Sequence, residues 1–373
     1  MPTADELISP DSVRRLAAIL QEASSGNSDW QRVAGSQSAL GTLGLSERAR
    51  TVSDAVLADC DGDYEKLAHA VRKALISPDL TGWMIWPVTE AVATAATESG
   101  ADRHFDDGLH LLAQLTPRLT GEFALRTFLN ADLERTLATA RTWTDSPDPA
   151  VRRLASEGTR PRLPWARQVP ELNRRPKATV PLLDRLRTDS SQVVRRSVAN
   201  HLNDISRLDA GLAAEVAARW MHNPVSTTPA LVRHAMRTLV KKGEPAALEL
   251  VGFHGSRDDL EVVGPLAEET EISMGGTLVF SARVTNASDQ PVSLAIDYVI
   301  HHMKANGKQA PKVFKLAKRG LAPGESAELT RSHSFRPIST RVYYPGAHAV
   351  QLQVNGHQFD KVDFRLVEAE EAS

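Results

Sequence analysis

A short signature recurs along the middle of the chain and constrains its fold more than any other feature. Ala150-Val151-Arg152-Arg153-Leu154-Ala155 returns 43 residues later as Val193-Val194-Arg195-Arg196-Ser197-Val198, and 38 residues after that as Leu231-Val232-Arg233-His234-Ala235-Met236. Apolar residues here fall at three- and four-residue spacing, as in Val13, Leu16, Ala17, Leu20 and in Val194, Val198, Leu202, Ile205. That spacing is one face of an amphipathic helix, and a period of about 40 residues is a helix pair per unit. Such pairs stack because none can bury its apolar face alone.

The period and signature match HEAT-like repeats, whose stacking makes a concave surface. At 100° per residue, Val194, Val198, Leu202 and Ile205 form one face, while Arg196, Asn200 and Asn203 point roughly opposite with Asp204 at the edge. From about residue 267 the pattern changes to short runs such as TLVFSARV, VSLAIDYVI and HAVQLQVNG, separated by Gly, Pro, Asn and Asp. Those are strand and turn signals, and they predict a sandwich of about seven strands. All six tryptophans precede the change, so two separately built cores are expected. The fold class read from the sequence is therefore α then β: an all-α repeat solenoid over 1–262, then a β-sandwich over 263–373.

A chain of 373 residues is long enough for two domains with sizeable cores. Its single cysteine, Cys60, excludes an intramolecular disulfide and any Cys-based zinc or iron–sulfur site, and fits a reducing cytoplasm. No apolar run reaches the length of a membrane span. Net charge is only −2, yet residues 1–100 carry 8 basic and 14 acidic residues whereas 141–200 carry 13 basic and 6 acidic. A second basic run, Lys304, Lys308, Lys312, Lys315, Lys318 and Arg319, contains no acid, and Asn306-Gly307 within it is a hairpin turn signal. Two basic patches on one chain are suited to a polyanion.

Two stretches concentrate chemistry: Val151 to Trp165, VRRLASEGTRPRLPW, and Ser197 to Ser206, SVANHLNDIS. With Gly121-Glu122-Phe123-Ala124-Leu125-Arg126 upstream, Tyr343-Tyr344-Pro345-Gly346-Ala347-His348 downstream and LSERARTVSDAVL near the start, the chain resembles the AlkC family of DNA alkylation repair glycosylases over nearly its whole length. Departures are small: Thr127 stands where relatives often have proline, and Ser339-Thr340-Arg341 where they often read Thr-Thr-Arg. The resemblance implies an immunoglobulin-like C-terminal domain. It also implies excision of 3-methyladenine and 3-methylcytosine from double-stranded alkylated DNA without base flipping, by a cytoplasmic, nucleoid-associated monomer that uses no cofactor and no metal.

An N3-methylated base is already cationic and leaves without protonation, so carboxylates are needed only to stabilise an oxocarbenium-like deoxyribose and to place a water. Glu122, Glu157 and Asp204 are the candidates, and surrounding arginines are expected to keep them ionised. Each has a plainer reading: Glu157 as the i,i+4 partner of Arg153, Asp204 as a repeat-linking residue, Glu122 as a helix N-terminal carboxylate. Trp165 is the candidate stacking platform. Arg152, Arg153, Arg160, Arg162, Arg195 and Arg196 are candidate phosphate ligands, joined by Lys312, Lys315, Lys318 and Arg319 of the second run. Tyr343 or Tyr344 is expected at a tyrosine corner. The alternative to catalysis is a helical-repeat scaffold holding DNA or a protein partner, which has no use for carboxylates amid arginines.

Overall fold

The computed structural model of the chain describes residues 3–24, 29–337 and 342–368, so the Ser339-Thr340-Arg341 string lies outside the described residues. Two compact units divide the chain, one of residues 1–216 and 223–235, the other of 217–222 and 236–373. Trp220, which the sequence reading grouped with the helical core, falls in the second.

The first unit is helical, and its repeat is visible as stacked helices. Pro149–Glu157, Gln192–Ile205 and Thr228–Ala235, which carry the three Val-Arg signatures, pack one on the next. Leu45–Asp59, Ile85–Glu98 and Leu125–Ala131 form a similar run earlier in the chain. Val194, Val198, Leu202 and Ile205 are fully buried, as their spacing predicts. Each contributes about 1.5–3 kcal/mol by leaving water. Asn203, expected on the polar face, is instead buried and donates Nδ2–H to the Ala235 carbonyl of the following repeat at 2.8 Å. The helix face toward the neighbour is thus wider than its apolar stripe, and a hydrogen bond compensates the buried amide.

Local sequence fixes the helix that carries Glu157. Asp148 caps its start by accepting from Ala150 N at 2.7 Å, and Pro149 fits the first helical position, where no N–H is needed. Its end is Gly158, where a Cβ would sit 2.5 Å from Leu125 Cδ2. Gly121 has the same role before Glu122, since a Cβ there would lie 2.6 Å from Leu112 Cδ1. Both glycines let the chain approach a neighbouring helix closely, and both adjoin a candidate carboxylate.

In the second unit, eight strands make two sheets among the described residues: β1 (Leu260–Ala267), β2 (Glu271–Ser273), β3 (Thr277–Asn286), β4 (Val292–Met303), β5 (Gln309–Leu321), β6 (Ser326–Ser334), β7 (Gly346–Val354) and β8 (His357–Val367). One sheet is ordered β1-β3-β6 and the other β2-β8-β7-β4-β5. Against the expected count of about seven there are eight, and the shortest, β2, has three residues, too few to show alternation, and pairs parallel to β8. Between the sheets lie Leu294, Ile296, Leu329 and Leu352 at one end and an aromatic group at the other, with Phe280, Tyr298, Phe335, Tyr343 and Phe364. Tyr343, not Tyr344, is the buried member of the tyrosine pair. The basic run is a hairpin turned at Asn306-Gly307, with Gly307 in the left-handed region, and its arm is the edge strand β5. The segment before β1 docks on the sandwich through Asn355, whose amide bonds to His254, Gly255, Ser293 and Ala295 of the backbone.

Candidate active site

Two of the three carboxylates expected to act, Glu157 and Asp204, meet around one guanidinium. Arg160, buried, donates Nη1–H to Glu157 Oε1 at 2.6 Å and Nε–H to Asp204 Oδ2 at 2.8 Å. Glu157 is 7% and Asp204 5% exposed. The second Glu157 oxygen accepts from Ser197 Oγ at 2.6 Å, whereas Arg153 stands 3.8 Å away, so the simple i,i+4 ion pair is the weakest of its contacts. Arg153 instead reaches Glu122, donating Nη1–H to Oε2 at 2.7 Å, and Thr120 Oγ1 donates to the same oxygen at 2.9 Å. The helix after Glu122 begins only at Leu125, and Glu122 is held by side chains.

Burial and counter-charge compete here, and for Asp204 burial wins. Desolvation pushes its carboxyl above the ordinary aspartate range even though Arg160 pulls it down, and the nearby Glu157 adds to the rise. The shift at Asp204 thus runs opposite to the lowering expected from nearby arginines. Burial alone would lower Arg160, but Asp204 and Glu157 overcome it and raise the guanidinium above its usual value.

The loop after Gly158 carries Arg160, Arg162 and Trp165, and Arg126 secures it. The fully buried Arg126 donates to the carbonyls of Gly158 at 3.2 Å, Arg160 at 2.6 Å and Arg167 at 2.9 Å. Burial, with Arg160 close by, lowers its guanidinium to about 10. The loop projects Trp165, 71% exposed, with φ +64°. A bulky residue in the left-handed region is strained by about 1–3 kcal/mol, a cost that persists where surrounding structure imposes it, often at functional sites. The loop thus presents a flat apolar indole face to solvent.

His201 is structural. It is fully buried, its Nδ1–H donates to the Ser156 carbonyl at 2.8 Å, and Nε2 faces Thr179 Oγ1 at 3.0 Å. Burial lowers its pKa to about 3, so it is neutral.

The candidate phosphate ligands separate into two groups. Arg152 grips Asp189 of the next repeat with Nε at 2.7 Å and Nη2 at 3.0 Å, and caps the Ser146 and Pro147 carbonyls with Nη1. Arg195 similarly donates to the Asp189 and Ser190 carbonyls. Arg152, Arg153, Arg160 and Arg195 thus already bond within the unit. Arg162 and Arg196 are exposed, and no described hydrogen bond or ion pair engages them. In the second unit Lys312, Lys315, Lys318 and Arg319 all lie exposed along β5. The Lys312 and Lys318 ammonium groups also stand over the Phe314 and Phe253 rings, at 5.7 and 5.2 Å from the centroids. Among the described residues no group of three or more His, Cys, Asp and Glu could hold a metal ion, and no helix is long and apolar enough to cross a membrane.

The chain is 37% identical to the uncharacterized protein YhaZ of Bacillus subtilis strain 168 over 263 residues, covering 70% of this chain and 72% of that protein. Residues 261–368 match the family model described as the C-terminal Ig-like domain of the uncharacterised protein YhaZ. The solved structure of Pseudomonas fluorescens alkylpurine DNA glycosylase AlkC, bound to DNA containing an abasic site analog, superposes with a TM-score of 0.84 at 30% identity, covering 98% of this chain and all of that one. The chain belongs to the AlkC family. Its α-then-β architecture, with an Ig-like second part, is that of the family.

Sequence reasoning singled out the carboxylates, Trp165 and the arginines, but gave no role to Arg126 or Ser197. Arg126 stood inside the GEFALR string. An arginine among apolar neighbours at helical spacing was the available signal, because a buried guanidinium must find several acceptors.

Proposed function

We propose that this chain is a monofunctional DNA glycosylase that removes cationic N3-methylated bases, 3-methyladenine and 3-methylcytosine, from double-stranded DNA. The observation that carries the reading is the buried Glu157–Arg160–Asp204 cluster beside a loop that holds Trp165 exposed and strained. AlkC, the similar solved protein, is an alkylpurine DNA glycosylase captured on DNA.

The methylated base carries its positive charge before the reaction, so bond breaking moves charge from base to sugar. Carboxylates fixed in a low-dielectric setting favour that transfer, and they need no reorganisation as the oxocarbenium forms. Arg160 and Ser197 hold Glu157, Arg160 holds Asp204, and Arg153 with Thr120 holds Glu122, so the negative field is positioned in advance. The free lone pairs of those carboxylates orient the water that attacks C1′. Trp165 packs on the nucleotide, and Arg162 and Arg196 take phosphates. Because attack is at the sugar, the chemistry does not require an enclosing base pocket. The basic strand β5 supplies a second set of phosphate contacts.

The test is to incubate the purified protein with DNA treated with a methylating agent and to identify released bases by chromatography. Enzyme-dependent appearance of free 3-methyladenine and 3-methylcytosine is expected. Binding of the DNA with no base released would make the chain a scaffold.

A further inference from the structure

The outer face of the five-stranded sheet carries a buried acid far in sequence from the carboxylate cluster. Ile296 and Tyr298 point into the sandwich, so Asp297 between them points out. It is nonetheless only 6% exposed, and no described hydrogen bond or ion pair engages its carboxylate. A bulge at Leu316 sets Lys315 of β5 opposite it, and Gln353 of β7 lies on its other side. Bulges re-aim side chains in this way.

The helix Arg237–Lys242, which belongs to the same unit, ends over this spot. Gln353, also buried, donates Nε2–H to the Lys241 carbonyl at 2.9 Å. Gly243 closes the helix in the left-handed region, and a Cβ on it would lie 2.5 Å from Gly356 Cα, in the turn between β7 and β8. The helix end is thus pressed onto the sheet. Lys241 and Lys315, both exposed, are the two cations whose charge acts on Asp297. Of the other titratable groups on that face, His301 of β4 is held by Gln351 at 3.0 Å, and Lys318 of β5, in register with Ala295, stands over the Phe253 ring.

Two exposed ammonium groups attract an anion, and a carboxylate beneath them repels it. Burial already favours the protonated carboxyl, raising its pKa to about 6 against the pull of both lysines. An anion held above would favour that proton further. We infer that the end of this helix and the middle of β5 form one phosphodiester seat, in which Lys241 and Lys315 take a backbone phosphate of duplex DNA and Asp297 takes a proton from solvent as the phosphate arrives. The inference rests on the reading of the chain as a DNA glycosylase with phosphate contacts along β5. It adds Lys241 to those contacts and makes this grip stronger as pH falls through about 6.

The test measures binding of the full chain to an undamaged, fluorescein-labelled duplex by anisotropy, at low salt and at pH 7.5 and 5.0. Asp297→Asn mimics the neutral carboxyl and is expected to bind about two- to fivefold more tightly than wild type at pH 7.5, the effect of one screened charge near one phosphate. At pH 5.0 the two proteins are expected to bind equally, so histidines that titrate elsewhere do not enter the comparison. Lys241→Ala, a change at an exposed side chain, is expected to weaken wild-type binding and to lower its log–log salt slope by about 0.9. With Lys241→Ala and Lys315→Ala together, Asp297→Asn should no longer tighten binding. Equal affinities of wild type and Asp297→Asn at pH 7.5, a gap that persists at pH 5.0, a gap that survives loss of both lysines, or a salt slope unaltered by Lys241→Ala would each overturn the seat. If base release from methylated DNA persists in any of those cases, the glycosylase stands and only the seat falls. The expected binding pattern without base release supports the seat and removes the glycosylase, and no duplex binding at all overturns both.

Discussion

Replacing Arg160 by methionine should destabilise the first unit by about 3–5 kcal/mol, the cost of breaking a buried ion pair from one side. The magnitude follows from the geometry. Arg160 is bonded to Glu157 at 2.6 Å and to Asp204 at 2.8 Å, and both carboxylates are nearly fully buried. Glu157 would keep Ser197 and, at 3.8 Å, Arg153, so Asp204 bears most of the loss. Its carboxyl, already raised by burial and by Glu157, would rise further once the opposing guanidinium is gone. Removing the charges together should undo the damage: Arg160→Met with Glu157→Gln and Asp204→Asn is expected to recover at least half of the lost stability, because neutral amides cost less to bury than unpaired carboxylates. Guanidinium denaturation followed by circular dichroism reads the cycle. An Arg160→Met protein within about 1 kcal/mol of wild type, or a triple variant no more stable than the single one, would refute the assignment of Arg160 as the counter-ion of both acids.

Other consequences follow from the same structure. Arg126→Met leaves three backbone carbonyls without a donor at about 1–3 kcal/mol each; stability should fall sharply, and protease cleavage within residues 158–167 should accelerate. Asp297 in β4 is buried and its pKa is raised to about 6, with burial the main cause and Lys241 and Lys315 opposing it. A folded-state pKa above the unfolded value means that the folded state binds the proton more tightly, so this group adds stability as pH falls from about 7.5 towards 5. The gain should be about 1–3 kcal/mol by urea denaturation, and Asp297→Asn should remove that pH dependence. Changing Lys312, Lys315, Lys318 and Arg319 to alanine should flatten the salt dependence of duplex binding by about 0.9 log–log units for each phosphate that β5 no longer neutralises. An unchanged slope would show that β5 does not touch the DNA.

The helical stripe was legible because residues such as Val194, Val198, Leu202 and Ile205 keep a helical period, and all four are buried. Asn203 and Asp204 were misread as facing away or at the edge, since a polar side chain is buried only when a partner exists, and those partners are Ala235 and Arg160, 32 and 44 residues distant. For the same reason Arg152 and Arg162 looked alike. The first is committed to Asp189, 37 residues further on, and the second is exposed. The acid–arginine mixture drew attention to residues that the fold brings together, but composition could not rank desolvation against counter-charge, and that ranking sets the direction of the Asp204 shift.

The central claim, that buried carboxylates around Arg160 drive base excision, is tested most directly by single-turnover cleavage of a duplex with one 3-methylcytosine. Wild-type protein, Glu157→Gln and Asp204→Asn are compared, together with their affinities for the same duplex carrying an abasic analogue. The account predicts that each variant binds the abasic duplex at least as well as wild type and excises about 100–1,000-fold more slowly, equivalent to roughly 2.7–4 kcal/mol of lost transition-state stabilisation. Wild-type rates in both variants would contradict it.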